Sequence, residues 1–170
     1  MKKRMLIMVL SALVLAIAVT VMCKKEAAKK ADVRYGEDYM DGRDTAWSLR
    51  DTEGKTLVRI KAAKGYNLSG QEYGSCSIVF KDMILGKVEL KKDTGPEDAL
   101  RLLVNGKKYI CHDEKSPKGK TFKLVSVGEE VYVLNEKKNN TVVIRLLAGN
   151  IKKAGMTVEE AGGILIDMID

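Results

Sequence analysis

Between Ala46 and Leu147 apolar and polar residues alternate with a period of two, and this pattern restricts the chain to a β-sheet fold. Lys87-Val88-Glu89-Leu90-Lys91 sets Val88 and Leu90 on one face and three charges on the other. Thr56–Lys61 does the same with Val58 and Ile60. Cys76, Ile78 and Phe80 share a face, as do Val142, Ile144 and Leu146. Successive side chains of an extended strand point to opposite sides, so these segments are expected to be half-buried strands, one side packed and one side wet.

Turn chemistry divides the pattern. Asn105-Gly106 lies between Leu100–Val104 and Lys107–His112. It predicts a hairpin, because a type I′ turn needs two residues that tolerate positive φ. Asp51–Gly54 joins Trp47–Arg50 to Thr56–Lys61. Gly128-Glu129 and Lys138–Asn140 separate the last three strands, and Gly86 inside a strand pattern predicts a bulge. Pro96-Glu97-Asp98 has the proline and acids of a helix start and reads as a short helical turn, Pro96–Ala99, leading into a strand. The fold class is mainly β: an antiparallel up-and-down sheet or small barrel of about ten strands.

One helix closes the chain. Thr157-Val158-Glu159-Glu160 is a capping box, and Val158, Ala161, Leu165 and Met168 recur at helical spacing, so 157–170 is expected to be helical. Gly162-Gly163 would cost about 2 kcal/mol in an exposed helix interior. A helix that keeps them is expected to bring its backbone close to a neighbour. It either caps an open sheet or threads a barrel.

Trp47-x-Leu49, Tyr66-x-Leu68 and Phe122-x-Leu124 each open a strand, and Trp47–Lys61 is echoed by Phe122–Leu134. The pattern aromatic-x-Leu-x-Asp-x-x-Gly-Lys-x-Leu-x-x-Ile-Lys, with the apolar helix Thr157–Asp170, resembles the hairpin units of tubby-like and LURP-one-related β-barrels. The resemblance implies an antiparallel barrel closed around an apolar C-terminal helix. The domain is shorter than a full twelve-stranded barrel requires, and Glu159, Glu160, Asp167 and Asp170 suit a barrel interior poorly. The basic motif by which tubby-family barrels bind phosphoinositides has no match here, so no site residue carries over.

The N-terminus supplies an address. Lys2, Lys3 and Arg4 precede 18 uncharged residues, Met5 to Met22, and Cys23 is followed by charge. This is the layout of an export signal or membrane anchor over 1–23. Three fates are open: lipidation of Cys23, as in a bacterial lipoprotein; retention as an uncleaved anchor, for which the length suffices; or cleavage after Ala16-Ile17-Ala18. Met22 before the cysteine departs from the small residue that lipoprotein signals prefer. Residues 24–33 read as a charged spacer, and 34–170 as one β-rich domain. The expected location is the cell envelope, with the domain outside the cytoplasm and the membrane as a partner through the N-terminus.

Export makes a disulfide between Cys76 and Cys111 a candidate. It would close a loop of about 36 residues and contribute roughly 3–4 kcal/mol on the chain-entropy model. Two unpaired thiols are the alternative. A metal site from Cys76, Cys111, His112 and Asp113 lacks the four spaced Cys or His ligands of structural zinc, so none is expected.

The remaining features exclude function classes. Without Lys2, Lys3 and Arg4, the 30 basic residues fall to 27 against 23 acidic, and several of those lie in the spacer, so no nucleic-acid footprint is expected. Gly54-Lys55-Thr56 and Gly119-Lys120-Thr121 lack the first glycine of a phosphate-binding loop. His112 is the only histidine, and beside Cys111 on a strand it faces the other way, so it is not set up as a base for that thiol. No catalytic residue and no cofactor is expected. The expectation is a non-enzymatic, envelope-tethered protein presenting a small β-domain to an unknown protein or lipid partner; the alternative is a lipid- or amphiphile-binding barrel module.

Overall fold

The computed structural model describes residues 39–43 (backbone), 45–51, 53–70 and 75–170. The expected export segment 1–23, with Cys23, and the spacer 24–33 lie outside the described residues. β1 (Tyr39–Arg43), β2 (Ala46–Arg50) and β3 (Thr56–Lys61) form a three-stranded sheet. A second sheet contains β4 (Tyr66–Ser69), β5 (Ser75–Phe80), β6 (Met83–Lys91), β7 (Ile110–Lys115), β8 (Thr121–Val127), β9 (Glu130–Lys137) and β10 (Asn140–Leu146). Its order is β4-β5-β6-β10-β9-β8-β7, and every pairing is antiparallel. The three helices are α1 (Pro96–Val104), α2 (Ala148–Lys153) and α3 (Val158–Asp167).

This strand order makes the β6-to-β7 connection cross from the middle of the large sheet to its far edge, and α1 is the crossing. The hairpin expected at Asn105-Gly106 is therefore corrected. Residues 96–104 are a full helix, and Asn105 is its left-handed C-cap at φ 44°, followed by Gly106 at φ 77°. Positive φ at two consecutive residues suits a helix end as well as a type I′ turn, and the dipeptide alone does not choose between them. The choice is made by Ala99, Leu100 and Val104, which are buried on one side of the helix. A two-residue turn with both φ positive does occur, at Lys81-Asp82 (φ 46° and 62°) between β5 and β6, without a glycine.

With α1 on one side, the β10-β9-β8 part of the large sheet is packed on both. Val125, Val127, Leu134 and Val143 meet Ala99, Leu100 and Val104 in a small core. On the opposite face Phe122, Leu124, Val133, Val142, Ile144 and Leu146 join the main core. The expectation of strands with one wet side fails here, and β10 is buried at six of its seven positions. The connection is pinned by the start of β10: Thr141 Oγ1 donates to Thr94 O (2.8 Å), and Asn140 Oδ1 accepts from Asp93 N (3.0 Å).

The bulge expected at Gly86 is present. Ile78 pairs with Gly86 and Val79 with Ile84, leaving Leu85 as the extra residue, fully buried. The hairpins at Asp51–Gly54, Gly128-Glu129 and Lys138-Asn139 also form.

Helix α3 begins with the expected capping box. Glu160 N donates to Thr157 Oγ1 (3.2 Å) and Thr157 N to Glu160 Oε2 (2.9 Å). Ala161, Leu165, Ile166, Met168 and Ile169 enter the main core together with Leu49, Val58 and Ile60 of the small sheet and Leu68, Cys76, Ile78 and Val88 of the large one. A helix apolar on most of its sides must be buried on most of its sides. Gly162 and Gly163 are the contact points: a Cβ on Gly162 would stand 3.0 Å from Val133 Cγ2, and one on Gly163 3.1 Å from Pro117 Cδ. After the helix, the chain end runs antiparallel to β3, with Lys61 N donating to Met168 O (2.8 Å) and Asp170 N to Arg59 O (2.8 Å).

Candidate functional site

The last turn of α3, the end of β3 and the β7–β8 loop meet around a cleft of about 440 Å³. Each wall is a short stretch of chain, and a long-range contact joins them. The period-two alternation of β3 buries Ile60 and leaves Lys61 exposed at the rim, followed by Ala62 and Ala63. Ser116-Pro117-Lys118-Gly119-Lys120 makes a tight turn: Gly119 (φ 80°) donates to Ser116 O, and Ser116 N to Lys120 O. The helix contributes Ile164, Asp167 and Met168, and the chain beyond it Asp170.

Asp167 joins the loop to the helix. Ser116 Oγ, buried, donates to its Oδ1 (2.5 Å), and Lys118 N donates to its Oδ2 (3.0 Å). The Ser116 hydroxyl also accepts from Lys120 N (3.0 Å). Lys120 Nζ donates to Ile169 O (2.5 Å) and stands 3.7 Å from Asp170 Oδ1. Nearby, burial and the charge of Lys120 push the Lys137 ammonium below its usual range, against an opposing pull from Asp170. The acids that suited a barrel interior poorly lie outside the core: Glu159 and Glu160 at the exposed helix start, Asp167 at the helix end bonded to the β7–β8 loop, Asp170 at the surface.

Chemically, the cleft is lined by apolar Ala62, Ala63, Pro117, Ile164 and Met168 and by two bases, Lys61 and Lys118, and two acids, Asp167 and Asp170. It is a binding shape. Ser116 is committed to structural hydrogen bonds with Asp167 and the loop backbone. From sequence the loop reads as a solvated linker, and its tie to Asp167 spans 51 residues. The only local signal is an aspartate within the apolar C-terminal half of a helix.

The cysteines are far apart in the sheet. Cys76 is on β5 in the main core, and Cys111 is on β7 beside the α1 core, with β6, β10, β9 and β8 between their strands. Both are free thiols, so the Cys76–Cys111 bridge is not formed. Burial pushes the Cys76 thiol up to about 12. It raises Cys111 too, with Lys123 pulling the other way. Lys123 is itself raised, first by its hydrogen bond to Asp113 (3.2 Å). His112 is half-exposed on β7, 3.4 Å from Glu114 Oε1.

Among the described residues, no cluster of His, Cys, Asp and Glu is arranged to hold a metal ion, and no helix is long and apolar enough to cross a membrane. Compared with known proteins, the chain matches no family model, no curated protein and no solved structure.

Proposed function

We propose that the chain is a non-enzymatic envelope protein, held at a membrane by its N-terminal segment, whose β-domain presents an outer surface to a partner. The observation that carries this reading is the filling of the interior. Leu165, Ile166 and Ile169 of the C-terminal segment have no exposed surface and occupy the space between the two sheets where a barrel would hold a ligand. A filled core leaves recognition to the surface. The lysine-rich n-region, the uncharged run and the charged spacer support the address.

The same filling supports the resemblance to tubby-like and LURP-one-related domains, in which strands close around an apolar C-terminal helix. In this reading the two sheets form an open barrel around α3, with β4 and β7 as free margins of the larger one.

A second reading, binding of a lipid or amphiphile, draws on the cleft between β3, the Ser116–Lys120 loop and α3. Its apolar residues suit one acyl or alkyl group, bound at the surface rather than inside, with a polar head between Lys61 and Lys118 on one hand and Asp167 and Asp170 on the other.

The test of the address is the intact mass of protein purified from membranes, wild type beside Cys23→Ala. A mass of residues 23–170 plus acyl chains, lost in the variant, supports a lipidated tether. An unprocessed mass in both, with both in the membrane fraction, supports an anchor. Recovery of wild type only from the soluble fraction sinks the reading.

A further inference from the structure

β7 is an edge strand of the seven-stranded sheet, so one side of its backbone has no partner strand among the described residues. The exposed large apolar side chains among the described residues are Ile110, the first residue of β7, 68% exposed, Tyr109 just before it, 47%, and Leu102 on α1, 68%. An unpaired edge beside exposed apolar groups is a template for another strand.

We propose that β7 pairs antiparallel with β7 of a second copy of this chain, joining two seven-stranded sheets into one. The sequence of the strand argues for this occupant. A two-fold axis normal to the sheet keeps each face on its own side, so some residue must face its own copy. With Asp113 or Glu114 in that place, like charges stand directly opposite. With His112 there, Ile110 faces Glu114 and Cys111 faces Asp113. With Ile110 there, that residue is all of β7 that the two strands share, against three, Ile110–His112, with Cys111 there; the further partners come from Lys107–Tyr109, which lead into the strand.

With Cys111 facing itself, Ile110 stands opposite His112, Tyr109 opposite Asp113, and Lys108 opposite Glu114. By symmetry the Lys108–Glu114 pair occurs twice, and Lys107 meets Lys115 only at the outer ends. The charged half of β7 deters unselective edge pairing and selects this register. Directly opposed residues of antiparallel strands have Cα atoms about 4.5–5.5 Å apart, within the span a disulfide accepts.

The experiment uses the full chain with Cys23→Ser, so that Cys111 is the accessible thiol while Cys76 stays in the core. Membranes are treated with diamide, whose N=N bond takes two electrons and two protons from a pair of thiols and becomes the hydrazine as the S–S bond forms. The expected result is a dimer band on a non-reducing gel, reversed by dithiothreitol and absent when Cys111→Ser is added. Glu114→Lys is expected to lower the cross-linked fraction about five-fold or more, because both charge pairs become repulsive. Lys108→Glu with Glu114→Lys is expected to restore it. The proposal is overturned if Cys111 is alkylated by N-ethylmaleimide yet diamide gives no dimer. It is equally overturned if the dimer forms to the same extent whatever the charges at 108 and 114.

Discussion

Gly86 on β6 lies so close to Leu165 on α3 that a Cβ at this position would stand 2.8 Å from the leucine Cδ1, and 2.9 Å from Ile144 Cγ2. The bulge in β6 and the seating of the C-terminal helix are therefore one feature. Gly86→Ala sets two effects against each other. Restricting the unfolded chain favours the folded state by about 0.5–1 kcal/mol, while overpacking a filled core costs about 1–3 kcal/mol. Leu165 and Ile144 have no exposed surface to retreat into. The expected outcome is net destabilisation of roughly 1–2 kcal/mol, read as a lower denaturation midpoint in urea. A midpoint at or above wild type would mean that α3 does not press on the sheet here.

Ile169 is fully buried and bridges to Ile60, so the chain end seals the small sheet to the core. Ile169→Ala is expected to cost about 2–5 kcal/mol and Ile169→Val about 0.5–1.5. Equilibrium denaturation of both variants measures the difference. Equal, small losses would indicate a tail that frays in solution.

Asp167 accepts from a buried hydroxyl and a backbone amide of the β7–β8 loop. Asp167→Ala is expected to cost about 1–3 kcal/mol, since it leaves the Ser116 hydroxyl without its acceptor. Asp167→Asn keeps an acceptor oxygen and should cost less. In a double-mutant cycle, Ser116→Ala should cost less in the Asp167→Ala background than in wild type, the remaining cost being the hydrogen bond that Ser116 Oγ accepts from Lys120 N. Additive losses would show that the two side chains act independently.

Cys76 carries a pH signature. Its thiol titrates near 9.0 when unperturbed and is pushed up to about 12 by burial in the fold. Between those values the unfolded chain has lost this proton and the folded chain keeps it, so stability falls as pH rises from about 9 towards 12. Cys76→Ala should flatten that part of the stability–pH curve relative to wild type. At neutral pH, Ellman's reagent should modify Cys111 ahead of Cys76, whose reaction should wait for unfolding. Fast modification of Cys76 in the native protein would contradict its place in the core.

Much of the fold follows from the sequence by itself, because the rules involved are local. Alternation at Val58 and Ile60, at Val88 and Leu90 and at Val142–Leu146 assigns strands from side-chain direction alone. The capping box at Thr157 and Glu160 is satisfied within four residues, and Gly162-Gly163 signals a close neighbour without naming it. Tertiary structure decided what depends on contacts distant in sequence. Asn105-Gly106 can end a helix or turn a hairpin, and it ends a helix because Ala99, Leu100 and Val104 find the far face of β8, β9 and β10 to cover. That placement makes both sides of those strands core, which an alternating pattern with valine on either face does not reveal. The cleft likewise rests on Ser116 reaching Asp167, and the separation of Cys76 from Cys111 rests on strand order. Backbone preference is set by neighbouring residues, but which surfaces are withdrawn from water is set by the whole chain.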